Sequence, residues 1–409
     1  MTTGRGREGP RLTGAPTTLV YVVWELTLRC DLHCGHCGSR AGKARDDELS
    51  TAEALDVVRQ LAELGAREVT LIGGEAYLRE DWDVVARAIV DAGMTCTMTT
   101  GGRFLDAARA ARAKAAGIES VSVSLDGVGE THDLQRGVRG SFDAALAALG
   151  HLRAAGVSIS VNTQINRLTL PELDRVLDTI VRAGGHSWQV QLTVPMGRAV
   201  EHADWLLQPD DLLAVIPRLA ALKDEAQRRG VRLWPGNNVG YFGPHELDLR
   251  GALTKKGHGS GCQAGVHSLG LEADGAIKGC PSLPTEAYTG GRTRERSIRE
   301  VWESSAELRF ARDRAVETWG FCGGCYYKDV CRGGCTWTAH VFFGRPGNNP
   351  YCHHRALEHQ ARGLRERLVP AAPAPGRPFD HGLFELVVEP IPPATRRLPA
   401  APPKPPGER

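Results

Sequence analysis

The sequence predicts an α/β protein with a second, cysteine-rich part toward its C-terminus. Three observations carry this. From residue 19 to about 200, strand-like and helix-like segments alternate through six units. From 262 to about 355, seven cysteines fall at short spacings among glycines. The predicted helices end at Gly65, Gly93, Gly117 and Gly156, the residue type favoured just past a helix terminus.

Taken in order, residues 1–18 read as a flexible Gly/Arg-rich tail. A strand follows over 21–27. Its string Val22-Val23-Trp24-Glu25-Leu26-Thr27 is apolar and β-branched, as a buried parallel strand would be. The loop bearing Cys30, Cys34 and Cys37 comes next. Ser50 and Glu53 then stand at capping-box spacing before a helix over 50–64. The cysteine loop therefore joins a strand's C-terminal end to a helix, where α/β barrels place their chemistry. Further strands are expected at 68–73, 95–100, 119–125, 157–164 and 188–194, and helices at 82–92, 103–116, 141–155 and 170–183. A bridging region spans 201–261, with a helix at 210–229 and then a Gly/Pro/Asn-rich stretch. The cysteine-rich domain takes 262–367 and closes with a helix at 352–367. Residues 368–409 form a Pro-rich tail, disordered at its end, in which Leu383–Val388 alternates enough for one strand.

Composition removes several function classes. At 409 residues the chain has room for two domains, and its net charge is only +2. No dense Lys/Arg run interleaves with aromatics, which argues against a nucleic-acid groove. No segment approaches the apolar length of a membrane span, and no apolar secretion signal is visible at the N-terminus. A cytoplasmic protein is expected. Eleven cysteines in clustered spacings then read as metal ligands rather than disulfides.

The string Leu28-Arg29-Cys30-Asp31-Leu32-His33-Cys34-Gly35-His36-Cys37 has the spacing C-x3-C-x2-C. Three thiolates from one loop can hold three irons of a [4Fe–4S] cluster and leave the fourth open to a non-protein ligand. A zinc site is the alternative. It usually wants four protein ligands, and only His33 or His36 is near. Cys96, alternating with Thr95 and Thr97 on a core strand, reads as buried and inert.

These residues resemble the radical S-adenosylmethionine (SAM) superfamily. The resemblance implies a partial (β/α)6 TIM-like barrel whose Cys30/Cys34/Cys37 cluster binds SAM and cleaves it reductively. Leu71-Ile72-Gly73-Gly74-Glu75, one unit later, matches the motif that holds SAM's amino group, with Ala76 where proline is usual. Ser124 and Arg136 stand twelve residues apart, as in relatives that use such a pair on the ribose and carboxylate of SAM. Asn162, with Gln164, either lines the barrel near the ribose or satisfies neighbouring backbone. His36 is assigned to the same cofactor pocket. Thr99 to Gly102 shape it, and Gln191 with Val194 to Arg198 face substrate or adenine.

Cys322, Cys325, Cys331 and Cys335 form C-x2-C-x5-C-x3-C. With Cys262, Cys280 and Cys352 they resemble the SPASM domain, which carries two auxiliary iron–sulfur clusters. The family's interleaved pattern implies one cluster on Cys322, Cys325, Cys331 and Cys352, and another on Cys262, Cys280 and Cys335. The second then has three cysteines. Its fourth iron is open, takes His267, or binds substrate.

The implied chemistry uses SAM and three [4Fe–4S] clusters to oxidise a ribosomally synthesised peptide, by crosslinking or dehydrogenation. A flavodoxin or ferredoxin would supply electrons. No leader-binding domain is expected before residue 19, so a leader peptide would need a separate leader-binding protein or another surface. Cys280-Pro281-Ser282 lacks the carboxylate of sulfatase-activating relatives, which argues against formylglycine formation. Two alternatives remain. One is a radical SAM oxidoreductase acting on a sugar, tetrapyrrole or cofactor precursor; the other is a non-enzymatic electron carrier. No catalytic acid or base is assigned.

Overall fold

A computed structural model describes residues 19–240, 242–251 and 262–392. The expected disorder at the end of the C-terminal tail and the flexible tail before 19 lie outside the described residues. Strands and helices alternate in chain order as β1 (Tyr21–Glu25), α1 (Thr51–Leu64), β2 (Glu68–Ile72), α2 (Trp82–Asp91), β3 (Thr95–Thr100), α3 (Ala107–Ala115), β4 (Ser120–Ser124), α4 (Glu130–Arg136), α5 (Ser141–Ala154), β5 (Ser158–Ile165), α6 (Leu173–Ala183), β6 (Ser187–Leu192), α7 (Leu212–Arg228) and β7 (Arg232–Pro235). Neighbouring strands from β1 to β7 pair in parallel and in sequence order.

The free edge of β1 is taken by β8 (Ser268–Leu271), also parallel, with Tyr21 opposite Ser268. Two short antiparallel strands, β9 (Ala276–Lys278) and β10 (Gly291–Arg292), extend that edge. The ten-stranded sheet thus runs from β10 to β7 without closing. The cysteine-rich part is sewn onto the barrel strand that feeds the cysteine loop.

Local chemistry explains the elements. Ser50 and Glu53 form the expected capping box, and Gly65 caps α1 at φ +88°, a left-handed conformation glycine adopts without a Cβ clash. Along β3, Cys96, Met98 and Thr100 are buried under the helices, while Thr95, Thr97 and Thr99 alternate toward the other face. Trp24, Trp82 and Trp188 are fully buried on the helix side, each the kind of large apolar side chain that dominates a core.

The structure departs from expectation in four places. Residues 130–136 form the short helix α4, which the polar string Glu130-Thr131-His132-Asp133 disguised. Arg232–Pro235 adds a seventh parallel strand. The helix expected over 352–367 stops at Ala361. Residues 364–372 instead form β11, paired antiparallel with β12 (Leu383–Pro390), so much of the expected tail is a hairpin. Gly363 at φ +69° ends the helix. Glu366 fixes β11 through Arg355, a buried bidentate pair at 2.5 and 2.6 Å.

Candidate active site

The cysteine loop is held by backbone bonds before any metal is considered. Cys30 N–H donates to Gly42 (3.0 Å), His33 N–H to Arg136 (3.1 Å) and Gly35 N–H to Gln135 (2.9 Å). Arg198 is buried and donates from Nε to the Cys34 carbonyl at 2.7 Å and from Nη2 to Ala41 at 3.2 Å. Arg198 thus clamps the loop and is not among the residues that line the cavity described below. In the same segment Gln191, Val194 and Met196 do line it. The three thiols converge. Burial pushes Cys34 up to about 11, with Cys37 adding and Arg136 opposing. Burial likewise raises Cys30, with Glu75, Cys34 and Cys37 adding. Thiols so placed ionise together only against a cation, which suits a metal cluster.

Gly73 and Gly74 lie against this loop. A Cβ on Gly73 would meet the Thr27 carbonyl oxygen at 2.3 Å, and one on Gly74 the Arg29 oxygen at 2.1 Å. Glu75 is 2 % exposed and accepts from Thr100 Oγ1 and from Gly101 N–H at 2.7 Å. Burial pushes it up to about 7, with Asp31 adding. The Cys30 sulfur and carboxylate oxygens of Asp31 and Glu75 lie within 4.8 Å of one another. Both Asp31 oxygens are buried without a hydrogen-bond partner among the described residues. Two carboxylates and a thiol around one spot call for a positive group. An ammonium meets that need, so the donor set fits bound SAM beside a cluster.

Arg136 ends α4. Its Nη2 lies 2.6 Å from Asp126 and its Nη1 3.6 Å from the Cys34 sulfur, while Nε is buried without a partner. Asp126 is fully buried and also meets His36 Nε2 at 2.8 Å. Burial opposes its ionisation, yet Arg136 and His36 hold it well below the usual carboxylate range. Asp126 therefore orients both residues assigned to the cofactor pocket. The sequence reading passed over it, although a carboxylate directly after a strand end was the available signal. Ser124 and Asn162 sit opposite each other on β4 and β5, and Ser124 Oγ donates to Asn162 Oδ1 at 3.3 Å. Asn162 faces the cavity.

That cavity, about 550 Å³, opens inside the sheet. Its lining includes His36, Gly38, Ser39 and Gly73 as well as Cys262, Cys280 and Cys335. These three thiols are mutual neighbours. Burial pushes Cys335 up to about 12, with Cys262 and Cys280 adding. Cys322, Cys325, Cys331 and Cys352 form a second group: burial pushes Cys352 up to about 12, with Cys322 and Cys325 adding. Burial also raises Cys331, and Cys352, Cys322 and Cys325 add to it. Trp337 packs against the apolar clusters around both groups, Phe242 with Cys335 and Ala264 with Leu283 and Tyr288, and its indole N–H points at the Met196 sulfur at 3.0 Å. His267 is exposed and stands outside the cavity lining. Cys96 is buried on the helix side of β3, away from every other thiol group.

Residues 24–182 match the model of the radical SAM superfamily. The AdoMet-dependent heme synthase of Methanosarcina barkeri is 31% identical over 355 residues, covering 84% of this chain and 98% of that protein. Mycofactocin maturase MftC of Mycobacterium tuberculosis is 30% identical over 380 residues, 91% of each chain. Among solved structures, Streptococcus suis SuiB bound to S-adenosylmethionine shares the fold at TM-score 0.64 and 16% identity, over 82% of this chain and 76% of that one. No helix among the described residues is long and apolar enough to cross a membrane. With three converging thiols, a glycine cradle and a carboxylate pair in a parallel α/β sheet, the chain belongs to the radical SAM superfamily, as a member with a SPASM-type cysteine-rich C-terminal region.

Proposed function

We propose that this enzyme oxidises a peptide substrate in the cavity between the Cys30/Cys34/Cys37 loop and the Cys262/Cys280/Cys335 group. Bound there, SAM and a [4Fe–4S] cluster supply a 5′-deoxyadenosyl radical that removes a hydrogen atom from carbon. In this reading Glu75 and Asp31 receive the SAM ammonium, Arg136 with its unpaired Nε receives the carboxylate, and Asn162 reaches the ribose. Asp126 keeps Arg136 and His36 in place. The C-terminal cysteines hold two auxiliary clusters, and Cys262/Cys280/Cys335, with three thiols, leaves one iron open toward substrate.

Kinship does not choose the substrate, because one relative is named a heme synthase and another a maturase. The cavity wall carries the choice. Its described lining is rich in neutral hydrogen-bonding groups, among them Asn162, Gln164, Gln189, Gln191 and Asn238, and includes no lysine or arginine. Amides and hydroxyls suit peptide backbone. A tetrapyrrole carries several carboxylates, and burying these without a cationic partner is costly. A flavodoxin or ferredoxin as electron donor, a separate leader-binding protein and a cytoplasmic setting complete the proposal.

The test is anaerobic incubation with SAM, a reductant and the peptides encoded by small reading frames beside the gene. One of them should lose the mass of two hydrogens. Conversion of an iron coproporphyrin, with every peptide unchanged, would overturn the peptide reading in favour of the small-molecule one.

A further inference from the structure

Glu25 is a carboxylate among the residues that line the cavity. It sits on the cavity-facing row of β1 with Tyr21 and Val23, and it is the only carboxylate among the described lining residues. Its side chain is 2 % exposed. One oxygen, Oε1, is fixed by Arg45, at 2.9 Å from Nη2 and 3.1 Å from Nε. The other oxygen, Oε2, is buried with no hydrogen-bond partner among the described residues. A buried carboxylate oxygen left unpaired is costly, and such a group in a folded protein calls for an explanation.

The support behind Glu25 is built as carefully as a catalytic group requires. Arg45 also contacts Glu272 at 2.8 Å, and Glu272 meets the fully buried Lys278 at 2.7 Å. Lys278 donates to the Leu283 carbonyl at 2.7 Å and stands 3.9 Å from the centroid of Phe379. The network joins the cysteine loop's far end, β1 and the β8–β9 hairpin. It holds two acids against two bases, so Arg45 is shared rather than committed to Glu25. From β2, the other strand paired with β1, only the uncharged Thr70 and Ile72 face the cavity here.

We propose that Glu25 is the proton acceptor of the reaction in this cavity. The inference rests on the oxidative reading above. After a substrate C–H bond has broken homolytically, the substrate radical must lose one electron and one proton to become a closed-shell product. The electron goes to an oxidised iron–sulfur centre. The proton leaves an N–H, O–H or C–H next to the radical carbon and passes to the Glu25 carboxylate, while the new double bond or crosslink forms. Burial pushes the Glu25 carboxyl up to about 7, Arg45 opposing and Glu272 adding. A base is most effective when it titrates near the working pH, and such groups contribute roughly 10²- to 10⁴-fold.

Two measurements test this, with iron content checking that each variant folds. The first needs no substrate: infrared titration of wild-type protein and Glu25→Gln. Glu75 gives a protonated-carboxyl band in the same range in both proteins, so the expected result is a further band in the wild-type-minus-variant difference spectrum that disappears between about pH 6 and about pH 8. Identical spectra from both proteins overturn the proposal. The second uses synthetic peptides from the neighbouring reading frames. In Glu25→Gln, modified peptide should fall at least ~100-fold, and 5′-deoxyadenosine formed per modified peptide should rise at least ~10-fold. Glu25→Asp, which keeps the carboxyl but withdraws it, should retain the infrared band and lie between. An unchanged ratio in Glu25→Gln overturns the role. If the wild-type enzyme leaves every peptide untouched, the peptide reading fails, and the infrared titration alone decides for or against Glu25.

Discussion

Gly74→Ala is the substitution whose effect follows most directly from geometry. The added methyl would lie 2.1 Å from the Arg29 carbonyl oxygen, 2.5 Å from its carbon and 2.7 Å from the Cys30 Cβ. Backbone atoms cannot rotate away as a side chain would. The segment bearing Gly74 or the chain at Arg29–Cys30 must therefore move by about 1 Å to reach ordinary contact. A misplacement of about 1 Å in a reacting constellation costs on the order of 10²-fold. The assay is the rate of 5′-deoxyadenosine formation from SAM under reductant, with iron per chain measured on the same sample. Gly74→Ala should fall by about 100-fold, more than any iron loss explains. Gly150→Ala is the control: it lies in α5, its added methyl meets nothing within 4 Å, and it should stabilise the helix by about 0.5–1 kcal/mol. A Gly74→Ala enzyme within threefold of wild type would refute the placement of this glycine against the cluster loop.

Other predictions follow from the same geometry. Replacing Cys30, Cys34 and Cys37 together with alanine should abolish SAM cleavage and remove about a third of roughly twelve irons; wild-type 5′-deoxyadenosine would contradict it. Asp126→Ala leaves Arg136 buried beside Cys34 without its carboxylate, and should cost about 3–5 kcal/mol in denaturant unfolding as well as SAM affinity. Glu366→Ala should cost a similar amount by stranding the buried Arg355 that ties β11 to the preceding helix, with little direct effect on SAM binding. Glu25 is raised from 4.5 to about 7, so the folded chain keeps a proton that the unfolded chain releases. Wild-type stability should fall as pH rises from about 4.5 to about 7, by at most ~3 kcal/mol for this group. Glu25→Gln should reduce that slope by this contribution while the one from Glu75 remains, which thermal unfolding of both proteins across the pH range would detect.

Much of this was legible from residue pattern alone. Apolar strands bounded by glycine-capped helices placed β1 to β6 within about two residues, because buried parallel strands and helix C-caps have strong local signatures. The Cys30 loop, Gly73–Glu75 and Ser124 stand at the ends of β1, β2 and β4, whereas Asn162 lies within β5 and meets Ser124 only through the β4–β5 register. What escaped depends on distant partners. β7 and β11 carry proline and arginine and gain their place from neighbours. Arg136 was expected at the SAM carboxylate, and its buried partnership with Asp126 was not foreseen because ten residues and a loop separate them. Glu25 and Lys278 were visible as charges within apolar strands. Their meaning emerges only when β8 docks beside β1 and brings Glu272 and Arg45 between them.

The central claim is that radical chemistry generated at the Cys30/Cys34/Cys37 loop reaches a peptide held in the cavity next to Cys262, Cys280 and Cys335. Deuterium transfer tests it most directly. A peptide from the neighbouring reading frames, deuterated on side-chain carbons, is incubated anaerobically with SAM and reductant, and the 5′-deoxyadenosine is weighed by mass spectrometry. The account predicts deuterium in the 5′-deoxyadenosine and an oxidised peptide in matching amount. Unlabelled 5′-deoxyadenosine with that peptide, together with label transferred from a deuterated tetrapyrrole, would contradict it.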